Sequence, residues 1–461
     1  MNRLKSFLFF MFTAILVFSQ VSFVHAEEPI DEIRDLIETY YVEDVPASTL
    51  NLPTIHEMTK QLDPYSVYMT KQEFERFSNT VNQELIGIGV VLEENEQGVK
   101  VIQTIPQGPA DQAGIRPGDI ITHVNGKSLS GESMQAAVSY MSGEENTFVD
   151  ITFLQKETGN LITKKIERKR ISLPNVEADM LGGEIGYIRL HSFSMNAAEQ
   201  LQSAIKSLSG AKGYILDLRD NGGGYVSAAQ EVTGLFPKVH LSFQLREKAG
   251  KAEVYKALPQ PTQFSHPIHM LVNENSASAS EMVSAAVKEQ NGGVLYGQTT
   301  YGKGSMQTLF ILSDQSVLKL TTAKFFSPKG TAINKVGVSP NIQTNVGEEL
   351  AVSHRDHLLK SYYQYSKLAA LNNVPTTKTF TIKMTTGMNW DALSTKDVQL
   401  IQLGGHEVET ELTIIDDRTL KVTPKKSLQS NERYLLIIHP HWSSKQNKSM
   451  IKGSYLEISV K

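Results

Sequence analysis

The sequence predicts a multidomain α/β protein with a helical N-terminal region, a compact β-rich unit, an α/β core and a β-rich C-terminal domain. Three observations carry this expectation. At 461 residues the chain exceeds one ordinary core and suggests about three domains. Between Glu184 and Gly297 strand-like and helix-like stretches alternate, the order of a three-layer core whose sites lie in loops at strand C-terminal ends. Strand signals flank that core, from Leu85 on one side and from Thr377 on the other.

Hydrophobic residues at 40% and charged residues at 20% are ordinary for a soluble globular protein. A formal net charge of -4 argues against a general nucleic-acid binder, which would show a basic field. The chain has no cysteine, which excludes disulfide frameworks, thiol nucleophiles and cysteine metal sites.

Residues 1–26 read as a secretory signal peptide. Arg3 and Lys5 precede the apolar run Phe7 to Phe18, and Val24-His25-Ala26 is a small-x-small cleavage site. The run is shorter than the roughly 20 residues that span a bilayer comfortably. The expectation is a cleaved, secreted protein working outside the cytoplasmic membrane, with a retained anchor as the alternative. Residues 27–84 look helical, with Ile30, Ile33, Leu36, Ile37 and Tyr40 near helical spacing. Leu62-Asp63-Pro64 marks a turn there, and Thr70 to Glu73 resembles a capping box. The region shows no catalytic chemistry and suits self-association.

Residues 85–170 form the β-rich unit, with strands at Ile86 to Leu92 and Val99 to Ile105 and a short helix over Pro109 to Ala113. Asn125-Gly126 is a hairpin signal after the strand Ile120 to Val124. The core follows over 171–347. Its strands are Ile185 to Leu190, Tyr214 to Leu218, Ile268 to Asn273 and Val294 to Gly297, with helices from Asn196, Val226 and Ser278. Residues 348–376 read as a helical linker and 377–461 as a small β-sandwich. His439-Pro440-His441 reads as ordinary surface residues.

The chemistry concentrates between Asn273 and Gln307. Ser276, Ser278 and Ser280 stand at a strand-to-helix turn, where free N–H donors and the helix dipole stabilise developing negative charge. A serine there is by itself most simply a helix N-cap. A nucleophile needs a base, and no Gly-x-Ser-x-Gly elbow or nearby loop histidine supplies one. Lys303, in Tyr301-Gly302-Lys303-Gly304, is the available candidate. It acts as a base only when neutral, so its site must be desolvated. Gln307 can orient it through the amide oxygen, where a carboxylate would stabilise the charged form. Gly297 to Lys303 also fits seven positions of a P-loop, but Gly304 stands where Mg²⁺ coordination needs Ser or Thr.

Two resemblances follow. Gly87-Ile88-Gly89-Val90 with Pro109 to Leu129 (PADQAGIRPGDIITHVNGKSL) resembles a PDZ domain. A PDZ domain binds an extended peptide by strand addition and captures its terminal carboxylate on backbone N–H groups. The resemblance assigns substrate binding to Gly87, Ile88, Gly89, Val90 and Arg116. The core, with Ser276 to Glu281 (SASASE) and Tyr301 to Gly304 (YGKG), looks like the carboxyl-terminal processing, or tail-specific, proteases. LDPYSVYM, DLRDNGGG and KLTTAKFFSPKG also match family segments. This likeness implies a crotonase-like (ClpP/crotonase-type) core. It implies Ser278 as nucleophile, Lys303 as base, Gln307 as its partner, and oxyanion donors at the N–H groups of Ala279 and Gly223. It implies no metal and no organic cofactor, no nucleic acid, and a homodimer built through the helical termini. The partners it implies are proteins or peptides with free C-terminal tails, membrane-associated substrates among them. Three positions depart from the family pattern: Gly222 stands for proline, Gln298 for glutamate, and Asn341 for aspartate. The C-terminal domain lies outside the family core and resembles immunoglobulin-like repeats of bacterial surface proteins. A non-catalytic PDZ scaffold that binds protein C-termini is the rival reading.

Overall fold

The computed structural model describes residues 29–461, save 249 and 392. The expected signal peptide lies outside the described residues. The α/β core is a six-stranded sheet in the order Val176–Leu181, Ile185–Leu190, Gly213–Asp217, Ile268–Val272, Val294–Gly297, Ile342–Gln343. Its first pair is antiparallel and the rest are parallel. Both Gly213–Asp217 and Ile268–Val272 are buried along their whole length, which explains their mostly apolar sequence, broken by Asp217 and His269. Helices Ala197–Ser207, Val226–Thr233 and Ala279–Glu289 pack with Tyr214, Leu216, Met270 and Val272. Ile215 and Leu271, which alternate with those residues, meet Leu358 of helix Glu349–Ser361 on the opposite face.

A second sheet stands beside the catalytic loops. Val317–Phe326 pairs with Ser305–Ile311, with Leu241–Glu247 and with Val67–Met69. Val67–Met69 comes from the N-terminal region, so that region is not purely helical. Its first helix, Ile30–Tyr40, buries Ile33 and Ile37 against Leu318 and Leu320 of the same sheet. The capping box forms as expected, with Thr70 Oγ1 accepting from Glu73 N–H and Glu73 accepting from Thr70 N–H.

The β-rich unit is bounded by the strand pair Glu84–Gly87 and Lys169–Ser172 and has its own core. Asn125 and Gly126 adopt φ 49° and 77°, the left-handed pair that a tight two-residue hairpin requires. Arg170 ties the unit to the neighbouring helix Lys71–Val81 by a hydrogen bond to Asn79, and it also bonds Glu84 on the partner strand.

The linker expectation needs correction. The helix ends at Ser361, and Ser366–Lys367 and Leu371–Val374 already pair parallel with the strand Ser454–Val460. Two sheets then enclose the apolar cluster of Phe380, Leu400, Leu420, Leu436 and Ile458. The opposite face of the larger sheet, through Ile401, Leu435 and Ile437, covers helix Glu349–Ser361. That helix is therefore a packing layer between two sheets, not a spacer. His439, read from sequence as a surface residue, is half-buried and hydrogen-bonded to Tyr365 and Gln399. His441 pairs with Asp397. Among the described residues no cluster of metal-ligating side chains occurs, and no helix is long and apolar enough to cross a membrane.

Candidate active site

The loops at the C-terminal ends of the parallel strands meet the edge of the second sheet in a cleft of about 640 Å³. Ser278, Lys303, Gln307 and Gly223 all line it. The three serines of the turn separate by their bonding. Ser276 Oγ donates to Leu218 O at 2.7 Å and accepts from Asn273 N–H at 3.0 Å. Ser280 Oγ donates to Asn221 O at 2.8 Å. Both are fully buried ties between this turn and the loop after Gly213–Asp217. Ser278 has no such tie and is 8% exposed at the cleft. Its backbone, at φ 55° and ψ -113°, lies where an L-residue is strained.

What holds that strain is a residue that sequence reasoning quoted but gave no role. Glu281 is 0% exposed. Its Oε2 accepts Ser278 N–H and Lys303 N–H, each at 2.9 Å, and its Oε1 accepts the Thr300 hydroxyl at 2.6 Å and Gly302 N–H at 2.7 Å. Thr300 Oγ1 itself accepts Val338 N–H, so its own hydrogen is free to point at the carboxylate. A deprotonated carboxylate is the acceptor-only group that such a donor set demands. One side chain thus joins the nucleophile turn to the base loop. The sequence signal was the fixed position of Glu281, three residues after Ser278 at a helix start.

The glycines beside Lys303 serve close backbone packing. A Cβ at Gly304 would lie 2.4 Å from Asn334 N, and one at Gly302, where φ is +88°, would lie 3.1 Å from Gly337 N. They let the base loop lie flush against the turn at 334–337, where Lys335 N–H donates to Gly302 O. Burial pushes the Lys303 ammonium down to about 8, and the Lys319 charge adds to this, while Asp63 and Glu281 oppose it. Lys303 Nζ sits 4.7 Å from the centroid of the Tyr65 ring. Tyr65 and Asp63 belong to LDPYSVYM, and Phe77 and Val81 of the following helix line the cleft. The expectation that the N-terminal region has no part in the catalytic chemistry is therefore corrected. Spacing could not reveal it, because only the pairing of Val67–Met69 with Val317–Lys319 brings Tyr65 over the lysine.

Gln307 lines the cleft on Ser305–Ile311, and its amide nitrogen donates to Ser305 Oγ and Thr321 Oγ1. Both amide hydrogens are thereby used, and the carbonyl oxygen remains an acceptor. The two expected oxyanion donors differ. Ala279 N–H has no hydrogen-bond partner among the described residues. Gly223 N–H donates to Asn221 Oδ1 at 2.9 Å, an Asx-turn that engages the donor. Gly223 still lies against the nucleophile, since a Cβ there would be 2.8 Å from Ser278 Cβ and 3.0 Å from Ala279 N.

In the β-rich unit, Gly87 ends its strand and Gly89 has φ +79°. Ile88 is 2% exposed and belongs to the unit's core, so only its backbone faces the loop. Val90 opens the strand Val90–Asn95, which among the described residues pairs on one side only, with Gly98–Thr104. Arg116 pairs with Asp111 and also donates to the Asp111 and Ile115 carbonyls. It braces its own turn and makes no hydrogen bond to residues 87–90.

A strained serine and a half-buried lysine line one cleft of the α/β core, and a β-rich unit with its own core lies N-terminal to it. The model of a PDZ domain matches residues 100–155 and that of peptidase family S41 matches residues 184–344. The chain is 30% identical over 414 residues to the probable CtpA-like serine protease of Staphylococcus aureus (strain COL), covering 87% of this chain and 77% of that protein. It is 37% identical over 297 residues to the carboxy-terminal processing protease CtpA of Bacillus subtilis (strain 168). That match covers 64% of this chain and 63% of the relative, just under two thirds of its length. Among solved structures, the photosystem II D1 C-terminal processing protease is 25% identical with a TM-score of 0.45, over 72% of this chain and 96% of that one. The chain belongs to the CtpA-like serine proteases of peptidase family S41, and it is a serine peptidase.

Proposed function

We propose that this protein is a secreted endopeptidase that takes the C-terminal tails of extracytoplasmic proteins on its PDZ domain and cleaves them with a Ser278/Lys303 dyad. The supporting observation is the Glu281 clasp, which ties the backbones of a strained serine and a half-buried, pKa-depressed lysine together at one cleft. Neutral Lys303 Nζ takes the proton from Ser278 Oγ as that oxygen attacks the scissile carbonyl. The resulting ammonium returns the proton to the leaving amine as the C–N bond breaks. Water then attacks the acyl-serine, giving a proton to Lys303, and Ser278 recovers its own as the ester opens. Ala279 N–H receives the oxyanion, joined by Gly223 N–H once substrate draws it from Asn221. The Gln307 carbonyl oxygen orients the lysine. The tail adds as a strand beside Val90–Asn95, its carboxylate on the N–H groups of residues 87–90. The core is read as crotonase-like, the C-terminal sandwich as immunoglobulin-like, and the working form as a homodimer.

The test is mass-spectrometric mapping of cut sites on unstructured tails with purified wild type and Ser278→Ala. Cuts made by wild type and absent from the variant are expected. Equal cutting by both would remove Ser278 from the mechanism.

A further inference from the structure

Lys319 is a second amine in the catalytic cleft. It lies on Val317–Phe326, directly across from Leu309, and Thr321 two residues on lies across from Gln307. Lys319, Thr321 and Gln307 therefore share one face of the sheet, and Gln307 donates to Thr321 there. The Lys319 Nζ stands 4.8 Å from the centroid of the Phe77 ring, as Lys303 Nζ stands 4.7 Å from that of Tyr65. Two aromatic rings of the N-terminal region thus cover two neighbouring amines. Among the described residues neither amine stands in an ion pair or donates a hydrogen bond, and Asp63 is the carboxylate whose charge reaches both. Burial and the charge of Lys319 act on Lys303 in the same direction, against Asp63 and Glu281. Tyr65 and Tyr301 are the other titratable groups near the base, and His191 and Asp220 line the cleft further off.

We infer that Lys319 is a positioning residue for the base: its ammonium charge, held in the same cleft without an anion of its own, favours the uncharged amine of Lys303. The inference rests on Lys303 acting as base. A cation beside a desolvated lysine makes the second proton harder to hold, which raises the share of nucleophile-activating amine near neutral pH. Asp63 favours the charged form of both amines: it opposes the effect at Lys303, and at Lys319 it works against the burial that lowers that amine, which helps it keep its charge.

The experiment measures kcat/KM against pH for a fluorogenic unstructured peptide with full-length wild type, Lys319→Met and Lys319→Arg. Thermal melts check that each variant is folded. Lys319→Met is expected to move the acidic limb upward by about half to one pH unit. That is a loss of about 3- to 10-fold at pH 7 that vanishes above about pH 9.5. Lys319→Arg keeps the limb where wild type has it. A Met limb that coincides with the wild-type limb overturns the inference. So does a change confined to KM, which would make Lys319 a substrate contact. If Lys303→Met is inactive while the Lys319→Met limb stays put, this inference fails and the base assignment stands. If Lys303→Met cleaves as wild type does, the base assignment fails first.

Discussion

Glu281→Gln tests the clasp between nucleophile and base. The fully buried carboxylate accepts from Ser278 N–H, Gly302 N–H and the Thr300 hydroxyl in a buried setting and from Lys303 N–H in a half-buried one. A glutamine must turn its NH₂ toward one pair of these donors. The Thr300 side is the better choice, because a hydroxyl oxygen can accept a second hydrogen bond whereas a backbone N–H cannot accept any. Gly302 N–H is then left buried against a donor. One orphaned buried donor costs about 1–3 kcal/mol. For a core of this size that lowers the melting midpoint by roughly 3–10 °C. Because Gly302 adjoins Lys303, the base loop shifts, and a shift of about 1 Å at a reacting group reduces kcat about 100-fold. Calorimetry and steady-state cleavage of an unstructured peptide measure both effects. The acidic limb should also fall, since Glu281 favours the charged lysine. A Glu281→Gln protein with wild-type melting and wild-type kcat would refute the reasoning.

Three further outcomes follow from the same geometry. Wild-type kcat/KM should rise through about pH 8 as Lys303 loses its proton, and a profile flat from pH 6 to 10 would contradict the lysine base. Ser276→Ala should remain an active enzyme but lose about 1–3 kcal/mol of stability, because Leu218 O and Asn273 N–H lose a buried partner; urea unfolding reads this directly. Gly223→Ala should reduce kcat about 100-fold or more with little change in the PDZ domain's affinity for a tail peptide. Its Cβ would fall 2.8 Å from Ser278 Cβ at a φ of +103°; stopped-flow acylation measures the loss.

Local patterns made most of the core readable in the sequence. The runs at Tyr214 to Leu218 and Ile268 to Val272 are buried strands because both faces are covered, and such runs need no long-range information. Ser278 and Lys303 stood out because chemistry restricts what a serine and a lysine can do in such loops. Glu281 had a visible position but an invisible role, since three of its four donors come from a loop 19 to 22 positions further on and only one from its own turn. The roof of Tyr65 and Phe77 was hidden for the same reason, as it depends on a three-residue strand pairing with residues 317–319. Gly223 shows the opposite limit. Its place beside Ser278 follows from the motif, but the capture of its N–H by Asn221 is a side-chain choice that spacing does not encode. The linker was misread because helix Glu349–Ser361 carries Ser353, His354 and His357 on buried positions, which leaves a weak apolar pattern.

The central claim is that Ser278 and Lys303 act as one catalytic unit. The most direct measurement is the rate of Ser278 phosphonylation by a serine-directed fluorophosphonate, followed against pH by intact mass in wild type and Lys303→Ala. Wild type should acquire one adduct, on Ser278, at a rate that climbs through about pH 8, and Lys303→Ala should label at least about 100-fold more slowly between about pH 8 and 9, the gap closing as Lys303 takes up its proton at lower pH. Labelling at another residue, or equal rates in the two proteins, would contradict the account.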